Sequence, residues 1–100
     1  MAYIDPVAVS PENYRVVMEN DHVRVLSMGL KAGERDEVHS HPSGTVCFIK
    51  GGKAKISLPD RGSMEADLPD GHVMWHEGWT HQVENLGSSE IEAIVVESKQ

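Results

Sequence analysis

The chain is poor in several things, and each shortage excludes something. It has one cysteine, Cys47, in 100 residues. No internal disulfide can form, and a lone thiol suits a reducing compartment. Cations are scarce: nine Lys and Arg stand against sixteen Asp and Glu, for a net charge of -7. Such a surface repels phosphate backbones and anionic lipid, so neither nucleic acid nor a membrane is an expected partner. Long apolar runs are missing. Stretches such as Ile94-Val95-Val96 fall far short of the roughly 20 residues that span a bilayer. The first eleven residues, Met1 to Pro11, contain Asp5 and two prolines and no apolar run, so they do not read as a secretory signal. There is no internal repeat, no low-complexity segment and no linker. The expectation is one soluble, cytoplasmic domain over residues 1–100, large enough for a single modest core.

Helical periodicity is also lacking. The one helix candidate is a short turn at Ser10-Pro11-Glu12-Asn13, with Ser10 as cap and Pro11 at the first helical position. What is present is a series of short, β-like segments separated by turn residues. Strands are expected at Tyr14 to Met18, Val23 to Leu30, Glu37 to His41, Thr45 to Lys50, Lys53 to Leu58, Met64 to Leu68, Val73 to His76, His81 to Asn85 and Ile91 to Glu97. Gly51-Gly52 reads as a hairpin turn, and Pro59 to Gly62 and Pro69 to Gly71 as further turns. Many short strands with regular turns indicate a sandwich or barrel, an all-β fold.

Six histidines are many for this length. Four fall in two clusters, His39 with His41 and His76 with His81. In a strand, residues two apart share a face at about 3.3 Å of rise per residue, so His39 and His41 project side by side. Two imidazoles so placed can converge on one metal ion, with His81, 40 positions after His41, brought in by the fold. His81, Val83 and Asn85 are the expected inward positions of their strand, and Glu84 points away. His22 and His72 sit in turns and are expected to be solvated, and Glu77 is a surface charge.

The two clusters together resemble the cupin superfamily. Its first motif, Gly, five residues, His-x-His, then Glu and Gly, is matched by Gly33, His39, His41 and Gly52. Its second is matched by Gly71, Gly78, His81 and Asn85, with His76 where a proline is usual. Within that superfamily the chain is similar to small single-domain cupins associated with β-alanine degradation, and at its site to three-histidine dioxygenases. The resemblance implies a single-domain jelly-roll barrel (a double-stranded β-helix), a metal at its centre held by His39, His41 and His81, and a homodimer.

One position departs from the pattern. Where cupins often add a glutamate ligand, this chain has Thr45, or Val46 under the longer spacing. Three neutral histidines leave the charge of a divalent ion uncompensated and keep positions open. Imidazole suits Zn, Cu, Fe and Ni alike; Fe(II) is expected from the resemblance, with Zn or Ni as occupants after purification. Thr45, Cys47, His76 and Trp75 are candidates to back the ligands or line the pocket. If Thr45 faces inward, Cys47 and Ile49 do too, Cys47 as a small buried residue. Three roles are open to His76, five residues before His81: a fourth ligand, a partner behind a ligand, or a surface residue, the last being the simplest reading. Trp79, Met28, Met74 and Phe48 fit a core or an apolar pocket wall.

The expected function is a non-heme Fe(II) dioxygenase acting on a small chelating substrate, a β-diketone, β-keto acid or thiol, with no general base evident. Two alternatives use the same residues: a non-catalytic metal or small-ligand binding module, and a metal-dependent isomerase or hydrolase using the ion as a Lewis acid.

Overall fold

The computed structural model describes residues 3–99. Met1, Ala2 and Gln100, the ends of the expected domain and signal-free N-terminus, lie outside the described residues. The elements are α1 (Pro6–Val9), β1 (Tyr14–Glu19), β2 (Val23–Leu30), β3 (His39–His41), β4 (Gly44–Lys50), β5 (Gly52–Leu58), β6 (Gly62–Leu68), β7 (His72–His76), β8 (Trp79–Asn85) and β9 (Ile91–Ser98). They form two sheets, one in the order β1-β2-β9-β4-β7 and one in the order β3-β8-β5-β6. Every pairing is antiparallel, as the alternating segments predict.

The inner faces of the two sheets meet in the core. Register aligns it: Leu26 stands opposite Val95, Met28 opposite Ala93 and Leu30 opposite Ile91, and all six are buried. Ala54 and Val83 close the core from the other sheet. Each fully buried Leu or Ile here contributes about 1.5–3 kcal/mol by leaving water. Among the described residues no helix is long and apolar enough to cross a membrane.

Two local expectations are corrected. The helix is α1, not the turn at Ser10. Asp5 is its cap, accepting a hydrogen bond from Val7 N at 3.0 Å, and Pro6 opens it. Ser10 instead donates its hydroxyl to Asn13 and accepts from Glu37 N. Nor do Gly51 and Gly52 make a hairpin. β4 pairs with β7 and β9, whereas β5 pairs with β6 and β8, so these glycines turn the chain from one sheet to the other. The corner passes so close to β6 that a Cβ on Gly51 would lie 1.7 Å from Leu68 O. The Pro59 to Gly62 segment does close a hairpin, between β5 and β6.

Candidate metal centre

β3 and β8 pair with His39 opposite His81, Ser40 opposite Thr80 and His41 opposite Trp79. Cross-strand partners share a face, so this register alone puts three imidazoles on the inner face. Ser40 and Thr80 point the other way, with their hydroxyls 2.8 Å apart. Ser40 also grips the N-terminal arm: its N–H donates to Ile4 O, and Ile4 N donates to its Oγ. One nitrogen from each of His39, His41 and His81 lies within 4.8 Å of the others. All three residues are buried, His39 completely.

The hydrogen bonds assign the tautomers of two of them. His39 Nδ1 is 2.7 Å from Glu37 O. A carbonyl only accepts, so Nδ1 carries the proton and Nε2 keeps its lone pair. His41 Nδ1 donates to Glu97 Oε2 at 2.6 Å, which leaves its Nε2 in the same state. Ligating histidines are commonly held in this way. Burial pushes the His39 imidazolium down to about 4. Burial, then the neighbouring His39, His41 and His76, drives His81 well below its ordinary value. Neutral imidazoles are the form a metal needs.

His81 supplies the test of fit. Both its ring nitrogens are buried without a hydrogen-bond partner among the described residues. An unsatisfied buried polar group costs about 1–3 kcal/mol. A cation among the three rings would satisfy His81 and accept the lone pairs of His39 and His41, so the residues present fit a metal.

Glu97 and Tyr14 come from the other sheet, and Asp36 from the segment before β3, bonded to Val83 of β8. Glu97 ends the inner face of β9 at 2% exposure. Tyr14, at the head of β1, is buried with its hydroxyl 3.0 Å from Asp36 Oδ2 and 3.1 Å from His39 Nε2. Asp36 is fully buried, accepts from Val83 N at 2.8 Å, and is pushed up by burial to about 6. A cavity of about 60 Å³ adjoins His41 and His81, walled by apolar side chains including Met28, Val46, Phe48, Met74 and Val95.

The flanking candidates are sorted by the phase of β4. Gly44, Val46 and Phe48 stand opposite His76, Met74 and His72 of β7, and Val46, Phe48, Met74 and His76 line the cavity. Thr45 and Cys47 pair with Trp75 and Val73 on the outer face. The inward reading of Thr45, Cys47 and Ile49 is therefore corrected: Ile49 is exposed, and Thr45 and Cys47 are half-buried outside the cavity. Val46 occupies the inward glutamate position, so the site lacks that carboxylate by either spacing. Trp75 is likewise not pocket wall. It is 57% exposed, and its indole donates to Glu77.

His76 is corrected from surface to interior. It is buried, its ring centroid lies 5.9 Å from that of His41, and it stacks on Trp79. Its Nδ1 donates to Glu77 O at 3.1 Å. Burial lowers its pKa. His72 is half-buried against Phe48 rather than solvated. Trp79 lines the cavity as expected and carries a buried indole N–H with no acceptor among the described residues. Asn85 donates to Leu30 O and Ser89 O and accepts from Gly87 N. It ties loops together and is not a ligand. Gly33, at φ +76°, makes the turn before the His pair and donates to Asn85 O; a left-handed residue there favours glycine.

Sequence reasoning missed Glu97, Tyr14 and Asp36. For Glu97 a signal exists: Ile91, Ala93 and Val95 alternate on one face, and continuing that phase puts an acid on the core side.

No known family profile matches the chain, and no curated protein is similar to it in sequence. Solved structures do match. A cupin domain from Bordetella pertussis Tohama I superposes with a TM-score of 0.80 at 22% identity, covering 100% of this chain and 99% of that one. An RmlC-like cupin family protein with a double-stranded β-helix fold from Methanocaldococcus jannaschii gives 0.67 at 20% identity, over 85% of this chain and 77% of that one. The polyketide cyclase RemF from Streptomyces resistomycificus gives 0.63 at 16% identity, over 87% and 64%. The fold of this chain is the cupin double-stranded β-helix.

Proposed function

From a cupin barrel with three inward histidines, we propose that this protein holds one divalent transition metal, Fe(II), through His39, His41 and His81, and is a dioxygenase for a small chelating substrate. The observation that carries the metal is His81, a buried imidazole with neither nitrogen satisfied. The observation that selects the substrate is the cavity wall. Among the described residues no Lys, Arg, Asp or Glu lines it, so an amino-thiol, with its ammonium or carboxylate, would enter without a counter-charge from the wall. A β-diketone with a short apolar body, which enters uncharged, fits better than an amino-thiol or the charged β-keto acid. The cavity, at about 60 Å³, holds on the order of four to six water-sized groups.

When bound, the ion would act as Lewis acid and redox centre for the substrate's oxygens and O₂. The chain's own residues do the rest. Glu97 and the Glu37 carbonyl orient two of the imidazoles. His76, with its proton on Nδ1 toward Glu77 O, keeps Nε2 as a base for the acidic C–H of a dicarbonyl. The Trp79 N–H is available to a substrate oxygen. The apolar wall excludes water. Exposed Val73 and Trp75 on edge strand β7 offer a second copy of the chain an apolar surface, which supports the homodimer. The acidic surface supports a small molecule, rather than nucleic acid or membrane, as partner.

The test begins with metal content. Wild type should carry close to one equivalent of metal, and His81→Ala almost none. Fe(II)-loaded wild type should then consume O₂ with short β-diketones, faster than with β-keto acids, and not with cysteine or cysteamine. A His81→Ala protein with full metal would overturn the centre. Metal without O₂ uptake across the panel would leave a binding module.

A further inference from the structure

Tyr14 stands where a fourth ligand would. Two donor atoms sharing a metal at about 2.1 Å each are about 3.0 Å apart at a right angle and about 3.4 Å apart at the tetrahedral angle. Tyr14 Oη is 3.1 Å from His39 Nε2, inside that interval. The residue lines the metal-side cavity with His41 and His81, and its ring centroid lies 5.8 Å from that of His41.

The proton count points the same way. His39 Nδ1 carries its hydrogen toward Glu37 O, so Nε2 presents a lone pair. Tyr14 has one hydroxyl proton, and Asp36 Oδ2 accepts it at 3.0 Å. The oxygen of Tyr14 then faces Nε2 lone pair to lone pair, with both residues buried. That contact is unfavourable on its own. It becomes favourable when both atoms face one cation.

We propose that Tyr14 is a protein ligand of the metal, taking the place of the glutamate that Val46 cannot supply; this rests on the three-histidine reading above. Asp36 is its positioning residue, fixed by Val83 N and holding the phenol proton. The ligand set becomes three nitrogens and one oxygen, the oxygen brought by β1 of the opposite sheet. With a more acidic ion such as Fe(III) the O–H bond breaks, the proton passes to Asp36 and the oxygen's electron pair goes to iron, with no change in oxidation state.

The experiment compares wild type and Tyr14→Phe, each loaded with Fe(III) and, separately, titrated with Zn(II). Melting curves of the metal-free proteins check that the variant folds. Wild type with one equivalent of Fe(III) should show a visible phenolate-to-iron charge-transfer band and phenolate modes in resonance Raman. Tyr14→Phe should lose both and bind Zn(II) at least tenfold more weakly. Iron-loaded wild type without the band overturns the assignment and leaves the histidines standing. So does a Tyr14→Phe protein that binds Zn(II) as tightly or more tightly, since Tyr14 would then only occupy His39 Nε2 as a hydrogen-bond donor. If wild type takes up neither metal, the three-histidine centre falls and this ligand with it. A variant that does not fold leaves the wild-type spectrum to decide.

Discussion

Glu97→Gln isolates what a buried charge adds to a metal ligand. The substitution keeps the side chain's shape and an acceptor oxygen for His41 Nδ1–H, now 2.6 Å from a carboxylate, and removes the charge. At 2% exposure little solvent screens that charge. A carboxylate behind an imidazole raises its basicity, and losing such a partner weakens metal binding about 10- to 100-fold. That is about 1.4–2.7 kcal/mol. A metal that binds only the folded state stabilises it by a matching amount. At about 4–8 °C per kcal/mol for a domain of this size, the rise in melting temperature on adding saturating Zn(II) should shrink by about 6–20 °C. Competition against a chromophoric chelator gives the affinity directly, and scanning calorimetry gives the shift. Glu97→Ala should be worse, because His41 Nδ1–H then has no acceptor at all. A Glu97→Gln protein that binds Zn(II) within twofold of wild type, with an unchanged thermal shift, would refute the reasoning.

His81→Leu should lose the metal yet raise the stability of the metal-free protein by about 1–2 kcal/mol in urea, because it removes two unsatisfied buried nitrogens. Gly51→Ala should cost about 3 kcal/mol or fail to fold, since the new Cβ would meet Leu68 O at 1.7 Å; circular dichroism melts check this. Acid sensitivity of the metal-free protein follows from two opposed groups. His39 is lowered from 6.5 to about 4, so its contribution is complete above 6.5 and is lost as pH falls through 4. Asp36 is raised from 3.8 to about 6, so its contribution is complete below 3.8 and is lost as pH rises through 6. At about 1.4 kcal/mol per pKa unit each spans roughly 3 kcal/mol, and between pH 6 and 4 they nearly cancel. Asp36→Asn removes one side of the balance. Between pH 6.5 and 4 it should lose about 3 kcal/mol more than wild type does, by urea unfolding at each pH.

The strands were readable because their apolar residues alternate, and the histidines because a two-residue spacing shares a face whatever the fold. The rest was not legible for physical reasons. Gly51-Gly52 has the chemistry of a tight turn, but that chemistry is the same for a hairpin and for a corner between sheets. Only pairing across the whole chain distinguishes them. Alternation continued from His41 would put Thr45 inward, but Pro42 and Ser43 interrupt the strand and alternation restarts with a new phase at Gly44. Asp5-Pro6 and Ser10-Pro11 carry equal capping signals, and the choice between them was made by Asn13 and Glu37, which claim the Ser10 side chain. Glu97 meets His41 across 56 positions, and nothing local links them.

The grip of Ser40 on Ile4 makes the N-terminal arm a reporter of the centre. β3 is three residues long and lies at the margin of its sheet, with β8 on one side and the arm's backbone on the other. The residue that anchors the arm sits between two of the histidines proposed to hold the metal. An ion that stiffens His39 and His41 therefore also stiffens the seat of Ile4. Energetic coupling of this kind is reciprocal: occupancy should slow amide exchange at Ile4 and Ser40, and an arm pulled away or trimmed should loosen the ion.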